Sequence, residues 1–337
     1  MNPYSTQHTT RDTVARRVHA SMIRLGVAVR VLGRDGLRAR DARRAEHAPH
    51  LSVSLLYLRE VLLYLAERQI GCYRLADDLA PYLDRADMPK FAQQIEECAE
   101  LLAETGALAR AQGIRLTMHM GLHVALSTPD EQLAARGAVA ITARARLLDA
   151  LGAGRESVLT LHIGGAYGDG AAALHRFAAR FERLPEFARR RVAVEPDEDC
   201  FALPDLLRLH QLTGVPLVFD ALHHQLNNPS HIPPGAALAL ALATWPPGLR
   251  PKVHFSSQRT EAHLVPARAG YARQVIAPRH GQHADFINPF EFAAFLAEAR
   301  GQPPFDVMLE AKAADLALLR LREDLCRFAP ELANFVR

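Results

Sequence analysis

Cysteine is scarce in this chain, and its few cysteines form no pattern typical of a disulfide framework or a zinc site. The 337 residues include only Cys72, Cys98, Cys200 and Cys326, and no two of them make a Cys-x-x-Cys pair. Scattered thiols of this kind are typical of reduced proteins, so we expect structural thiols and a cytoplasmic location.

Long apolar segments are also missing. No stretch approaches the roughly 20 apolar residues that a membrane-spanning helix needs, and the alanine- and leucine-rich residues 236–245 are far too few. Residues 1–21 are polar and basic, without the apolar core of a signal peptide, and we expect a disordered or loosely packed tail. We therefore expect a protein with no membrane partner, and a monomer.

Neither charge sign dominates, and the glycine motifs that bind phosphates are absent. The chain has 40 Lys and Arg against 37 Asp and Glu, a net charge of +3, so total charge does not indicate a nucleic-acid partner. No Gly-x-Gly-x-x-Gly or Gly-x-x-x-x-Gly-Lys-Ser/Thr motif follows an apolar run, which removes the usual signal for nucleotide binding. Histidine, in contrast, is frequent at 16 residues, and several lie at the ends of apolar runs, which favours metal chemistry.

Short apolar runs alternate with helical patterns along almost the whole chain. The predicted strands are 23–29, 72–75, 115–119, 158–163, 192–195, 216–220, 252–256 and 306–310. The predicted helices are 55–67, 91–111, 131–151, 171–183, 203–213, 234–244, 289–299 and 313–328. Alternation of this kind indicates a parallel sheet, and eight units in about 300 residues favour a closed (β/α)8 TIM barrel over an open doubly wound sheet. We predict an α/β fold with one barrel domain over residues 22–337.

Metal-ligand side chains stand at the carboxyl ends of most of these strands, where a TIM barrel carries its active site. In chain order they are His119, His162, Glu195, Asp220 followed by His223, Lys252 with His254, and Glu310 followed by Lys312, with His283 in the loop before the last unit. Mixed imidazole and carboxylate ligands suit Mn, Zn, Fe or Co. There are more ligands than one ion needs, so we expect two or three ions, which would polarise a phosphate or carbonyl oxygen and generate hydroxide.

The order of the motifs resembles the UV damage endonuclease (UvdE) family over about residues 22–325. The motifs are Arg115–His119, His162–Asp169, Val194–Glu198, Val218–His224, Trp245, Pro251–Gln258, His283-Ala284 and Val307–Lys312. The resemblance implies a (β/α)8 barrel related in fold to endonuclease IV and xylose isomerase. It also implies an enzyme that cuts DNA on the 5′ side of photolesions with a manganese-type trinuclear site.

The same resemblance implies roles for individual residues. The implied metal ligands are His119, His162, Glu195, Asp220, His223, His254, His283 and Glu310, and the implied catalytic centre comprises Glu195, Lys252, His254 and Glu310. Lys252 is a candidate for carboxylation, which would supply one more anionic ligand. Manganese is the expected metal, with Fe, Zn, Co or Mg as alternatives.

Two motifs depart from the family pattern at positions that read the lesion. The family usually follows its first ligand histidine with Pro-Gly-Gln and an aromatic residue, whereas this chain has His119-Met120-Gly121-Leu122-His123. At strand one the family usually has Gly-Tyr and then an asparagine, whereas this chain has Gly26-Val27 and Val31. We therefore expect an intact metal site and an altered contact with damaged bases, because Leu122 lacks the hydrogen bonds of an amide.

Three functions remain open on these observations. The first is a metal-dependent endonuclease acting on damaged double-stranded DNA, with basic contacts from Arg30, Arg34, Arg38, Arg40, Arg43, Arg44, Arg250, Arg259 and Arg268, and from Lys90 and Arg176. The second is a multinuclear metalloenzyme, resembling xylose isomerase, that acts on a small molecule or a modified peptide. The third, a scaffold without catalysis, is disfavoured by the retained ligand set.

Overall fold

The computed structural model describes residues 23–265, 267 and 272–336. The predicted tail, residues 1–21, lies outside the described residues, as does Arg268. Among the described residues, no helix is both long and apolar enough to cross a lipid bilayer. The four cysteines are free thiols, of which Cys72 and Cys98 are buried while Cys200 and Cys326 are exposed.

Strands and helices alternate as the sequence predicts. The strands are β1 Arg24–Ala28, β2 Cys72–Arg74, β3 Arg115–His119, β4 Leu159–His162, β5 Val192–Glu195, β6 Phe219–Asp220, β7 Lys252–Phe255, β8 His263–Val265, β9 Gln274–Ile276 and β10 Asp306–Leu309. The helices are α1 Leu51–Glu67, α2 Pro89–Ala92, α3 Gln94–Glu97, α4 Ala99–Ala111, α5 Glu131–Ala150, α6 Gly170–Glu182, α7 Glu186–Arg189, α8 Leu203–Thr213, α9 Ala221–Leu226, α10 Pro234–Ala243, α11 Pro289–Glu298, α12 Ala314–Phe328 and α13 Pro330–Ala333.

Eight parallel strands close into a barrel, which confirms the predicted TIM-barrel fold. The hydrogen-bonded order is β5-β4-β3-β2-β1-β10-β7-β6. The two ends of this order meet because Val194 in β5 donates to the Pro216 carbonyl at 2.9 Å and accepts from the Val218 amide at 2.8 Å. The remaining strands, β8 and β9, pair with each other in an antiparallel hairpin outside the barrel.

Apolar burial on both faces of each strand explains why these runs form the barrel wall. Leu25, Val27, Val194, Val253 and Val307 are fully buried, since one strand face meets the barrel interior and the other meets the helices. Several helices begin at side chains that accept hydrogen bonds from first-turn amides, and these caps are Asp130, Asp169 and Asn288. The predicted alternation therefore has both a packing cause and a capping cause.

Three local features differ from the sequence prediction. The helix predicted over residues 91–111 is divided into α2, α3 and α4. The helix predicted from residue 55 already begins at Leu51, where His50 caps it through a hydrogen bond from the Ser52 amide. The β8–β9 hairpin was not predicted, because two strands of three residues are too short to show a periodic pattern.

A buried ion cluster connects three strands and the segment before β7 at the amino end of the barrel. Its centre is Asp306, whose Oδ1 lies 2.8 Å from Nε of both Arg24 and Arg250, and whose Oδ2 lies 2.9 Å from Nη1 of Arg115. Burial by itself would raise the pKa of Asp306, but Arg115 and Arg24 hold that pKa below its ordinary value. Arg250 therefore lies at the opposite end from the strand ends that carry the metal ligands, so its predicted position at the barrel mouth is wrong.

We predict that Asp306→Asn destabilises the fold by about 3–5 kcal/mol at neutral pH, because it leaves buried guanidinium groups without their anion. Since the native pKa of Asp306 is depressed, its contribution is complete above the ordinary carboxyl pKa and is lost as pH falls through the native value. Urea unfolding of wild type and variant should therefore differ most near pH 7 and converge in strong acid.

The matched control for this prediction is Asp87→Asn, which removes an exposed partner of Arg85. We expect little change in the unfolding midpoint of that variant. An Asp306→Asn variant as stable as the Asp87→Asn control at pH 7 would contradict the proposed role of the ion cluster.

Candidate metal centre

The barrel brings the sequence-predicted ligands together at the carboxyl end of its strands, which we call the mouth. His119, His162, Glu195 and Asp220 are the last residues of β3, β4, β5 and β6. His254 lies in β7, one residue before its end, and Glu310 directly follows β10. The parallel register carries neighbouring ligands side by side, since His162 pairs with Glu195 and Asp220 pairs with His254.

Glu195 is the centre of this cluster. Its Oε2 lies 2.9 Å from His119 Nε2 and 3.9 Å from His162 Nε2. Its Oε1 lies 2.7 Å from His254 Nδ1 and 3.6 Å from His223 Nδ1. The carboxyl group is only 1 % exposed. The Glu195 side chain is therefore close to imidazoles on both sides of β5.

The ligand atoms form two groups that share Glu195. One group comprises His119, His162 and Glu195, and the other comprises Glu195, Asp220, His254 and Glu310. Within each group the ligand atoms lie within 4.8 Å of one another, a separation that a single ion can span. A carboxylate that belongs to both groups is suited to bridge two neighbouring ions.

Several buried polar atoms in this cluster lack a hydrogen-bond partner among the described residues. They are His162 Nδ1, Asp220 Oδ2, His223 Nδ1 and His254 Nε2. A buried polar atom without a partner is costly, and a cation beside Glu195 would satisfy Asp220 Oδ2 and also His223 Nδ1, which lies 3.6 Å from Glu195 Oε1. The residues present therefore fit a metal centre.

The tautomer of His119 also supports a cation at this site. Its Nδ1 donates to the Met120 carbonyl oxygen at 2.9 Å, which leaves the lone pair of Nε2 directed at Glu195 Oε2. Burial lowers the pKa of His119 well below its usual value, so the imidazole is neutral. A neutral imidazole whose Nδ1 donates to a backbone carbonyl and whose Nε2 faces the cluster is in the form that binds a metal ion.

The carboxyl groups at the mouth have opposite pKa shifts. Burial, together with Asp220 and Glu310, raises the pKa of Glu195 well above its usual value. Burial also opposes ionisation of Glu310, but Arg74 and the neighbouring imidazoles hold its pKa well below the usual range. Without added positive charge the cluster cannot keep all its carboxylates ionised, and a divalent cation would reverse the shift at Glu195.

His223 and His283 lie at the outer side of the cluster. His223 Nε2 is 3.6 Å from Glu198 Oε2, and Asp220 and Glu198 raise the pKa of His223 against the effect of burial. His283 Nδ1 donates to the Glu310 carbonyl at 2.8 Å, which leaves its Nε2 available. His224, in contrast, contacts the Ile232 carbonyl and the Phe219 ring, so it packs the structure.

Lys252 lies inside the barrel beneath the ligands. Its Nζ donates to Thr160 Oγ1 at 2.6 Å, and the side chain is fully buried. Burial lowers the pKa of Lys252 to about 7, so a substantial part of the amine is neutral near physiological pH. A neutral, water-excluded amine of this kind is a nucleophile.

Two charged residues at the mouth were missed by sequence reasoning. Arg74, the last residue of β2, makes an ion pair with Glu310, and Glu198 approaches His223 from the loop after β5. Arg74 stands at a strand end like the predicted ligands, and that position is the signal that would have identified it. Glu198 carries no such signal, because only the path of its loop brings it to the site.

The residues that depart from the family pattern lie on the same mouth. Leu122 is 80 % exposed in the loop after β3, and His123 lines a cavity of about 680 Å³ together with Asp77 and Arg144. Val31, near the position where the family has asparagine, is buried in the core. The mouth therefore presents an apolar side chain and an imidazole where the family presents an amide and an aromatic ring.

The basic loop after β1 is largely paired within the protein. Its ion pairs are Arg34 with Glu67, Arg40 with Asp78, Arg43 with Asp41 at 2.6 Å and Arg44 with Glu46 at 4.0 Å. Arg30 donates to the Lys312 carbonyl, and Arg38 lies over the Tyr57 ring. Arg259, after β7, pairs with Asp285 and Glu261. These contacts reduce the positive charge that the predicted arginines offer to a partner.

Comparisons with known proteins agree on one family. The family model described as "UV-endonuclease UvdE" matches residues 37–334. The "UV DNA damage endonuclease" of Bacillus velezensis is 28% identical over 264 residues, covering 78% of this chain and 77% of that protein. The crystal structure of SacUVDE superposes with a TM-score of 0.76 at 24% identity, covering 90% of this chain and 98% of that one.

A second class of solved structures shares the barrel alone. The D-psicose 3-epimerase of Clostridium cellulolyticum H10, solved with D-tagatose, has a TM-score of 0.51 at 14% identity, covering 93% of this chain and 94% of that one. Similarity at this level shows the fold and carries no information about the reaction.

We predict that Glu195→Gln lowers metal content to less than one ion per chain, because it removes the anion shared by both ligand groups. The measurement is elemental analysis after loading with manganese and gel filtration. The control is Glu198→Gln, which changes an acidic residue at the mouth outside both groups. Full metal content in Glu195→Gln would show that the cluster is misassigned.

Proposed function

The chain belongs to the UV-endonuclease UvdE family, and on that premise we propose that it is a metal-dependent DNA repair endonuclease. The proposed reaction is hydrolysis of a phosphodiester on the 5′ side of a lesion in double-stranded DNA. The observation that supports it best is the buried cluster around Glu195, whose two ligand groups share that carboxylate and fit two neighbouring cations. A cluster that bridges ions is a common arrangement for in-line displacement at phosphorus.

The residues that would hold the metals come from almost every strand of the barrel. They are His119, His162, Glu195, Asp220, His223, His254, His283 and Glu310. Two or three divalent ions, with manganese as the expected metal, would polarise the scissile phosphate and activate water near neutral pH. Because the strands fix the backbone of most ligands, the site is organised before the substrate binds.

Other residues of the chain supply fixed charge around the phosphate. Arg74 is partly exposed at the mouth, and its ion pair with Glu310 holds the guanidinium beside the cluster. A guanidinium in this position is suited to bind a phosphate oxygen. Glu198 lies 3.6 Å from His223 Nε2 at the outer side of the cluster, where it would orient this imidazole as a ligand.

A second candidate function is supported by the altered lesion-reading positions. Leu122, which is 80 % exposed, cannot replace the hydrogen bonds of the amide that the family usually has there. This candidate is a multinuclear metalloenzyme, resembling xylose isomerase, that acts on a small molecule or a modified peptide. It keeps the metal centre and changes only the substrate.

We predict that manganese-loaded protein nicks UV-irradiated supercoiled plasmid faster than undamaged plasmid. Gel electrophoresis measures the rate, and extension by a DNA polymerase tests for the 3′-hydroxyl end that cleavage 5′ to the lesion leaves. The Glu195→Gln variant controls for contaminating nucleases. Equal rates on both plasmids would exclude the repair function and favour the second candidate.

We further propose that Lys252 is carboxylated and supplies an additional anionic ligand. The proposal is supported by its position beneath the cluster and by the single neutral partner of its Nζ, Thr160. We expect protein incubated with ¹³C-bicarbonate to show a carbamate carbon signal by NMR. The signal should be absent in Lys252→Arg, and its absence from the wild type would exclude carboxylation.

A further inference from the structure

The β8–β9 hairpin is separate from the barrel wall, and its foot includes the bridge between Gln258 and the candidate ligand His283. It arises between β7 and the candidate ligand His283, so it projects from the mouth end of the barrel. Its foot is fixed by hydrogen bonds: Gln258 Nε2 donates to the Arg279 carbonyl at 2.8 Å, and the Arg259 amide donates to the Gln282 carbonyl at 2.7 Å. The foot of the hairpin is therefore hydrogen-bonded to the segment that leads directly into His283.

The two faces of the hairpin differ in a way that is unusual for an exposed ribbon. His263 pairs with Ile276 across the strands, and both are partly buried against the protein. Leu264 pairs with Val275 on the other face, and these side chains are 51% and 71% exposed. Solvated faces of antiparallel strands normally carry polar residues. Two adjacent apolar side chains directed at solvent indicate a face that contacts something else.

Positive charge accompanies this apolar pair. Arg273 and Arg279 are exposed and flank β9, since Arg273 directly precedes this strand and Arg279 lies three residues beyond its end. The acidic residues nearby are already paired, because Glu261 and Asp285 both contact the buried guanidinium of Arg259. The described part of the hairpin and its foot thus present excess positive charge around two apolar side chains.

These features favour duplex DNA over a protein as the partner. A two-stranded β-ribbon has the width of a DNA groove, and ribbons of this kind are known to dock there. Arginines beside the ribbon are suited to the phosphates that line a groove, and small apolar side chains to its base edges and sugars. Two exposed apolar residues are far too few for the core of a stable protein interface.

We propose that the β8–β9 hairpin is a DNA-contacting arm that holds the duplex beside the metal centre. Leu264 and Val275 contact the groove, while Arg273 and Arg279 contact phosphates. Through this arm the protein binds the duplex independently of the altered residues Leu122 and His123. This inference rests on the proposed endonuclease function.

The test is binding of manganese-loaded full-length protein to a fluorescein-labelled undamaged duplex, followed by fluorescence anisotropy. We expect Leu264→Ser/Val275→Ser to raise Kd about tenfold, because it removes apolar contacts from the interface. Arg273→Gln should reduce the slope of log K against log salt by about 0.9, the value for one phosphate contact. Metal content should be unchanged in both variants, since neither alters a ligand.

Two further variants separate the loss of contact from the loss of fold. Leu212→Ser removes a leucine that is also 51% exposed, near the carboxyl end of α8 and away from the mouth, and should bind DNA like the parent. Leu264→Met/Val275→Ile keeps the apolar face and should retain binding. A loss of binding in this conservative variant equal to that of the serine variant would show a merely structural role for the hairpin.

The outcomes distinguish this inference from the proposed function. If Leu264→Ser/Val275→Ser binds the duplex as tightly as the parent and nicks at an unchanged rate, the proposed arm is wrong and the proposed endonuclease function still stands. A parent protein that neither binds the duplex nor nicks irradiated plasmid would overturn the endonuclease, and the arm with it.

Discussion

The structure depends on the burial of three carboxyl groups among imidazoles at one end of a barrel. Glu195 and Asp220 are almost completely enclosed, Glu310 is close to them, and mutual repulsion adds to the cost of burial. Arg74 compensates only Glu310 directly. The described side chains at the mouth therefore compensate the other two carboxyl groups less directly, and the grouped ligand atoms mark these strand ends as a candidate metal centre.

The two ends of the barrel differ in how the charge of their buried carboxyl groups is compensated. At the amino end, Asp306 is surrounded by the guanidinium groups of Arg24, Arg115 and Arg250, so its charge is balanced by the chain. At the mouth, the grouped imidazole and carboxylate side chains could instead hold a metal ion. In TIM barrels the amino end typically serves stability and the carboxyl end serves chemistry, and the charges follow that division here.

The sequence was sufficient to predict the barrel, because alternating strands and helices leave a periodic pattern. It was also sufficient to predict the clustering of His119, Glu195 and Asp220, because the carboxyl ends of parallel strands converge at one edge. It was insufficient where position depends on loops. Glu198 and the β8–β9 hairpin carry no periodic signal. The misplacement of Arg250 had a different cause: it precedes β7, and chain direction alone would have assigned it to the amino end. The substrate also cannot be predicted from the sequence, because Leu122 and His123 change the surface around the site while the predicted ligands stay the same.

The most direct test of the account is anomalous diffraction at the manganese edge from crystals of the manganese-loaded protein. The account predicts at least two anomalous peaks at the mouth, with Glu195 between them and His119 and His254 on either side. No peak within this cluster under saturating manganese would contradict the assignment of Glu195 as a bridging ligand and the metal-dependent mechanism that follows from it.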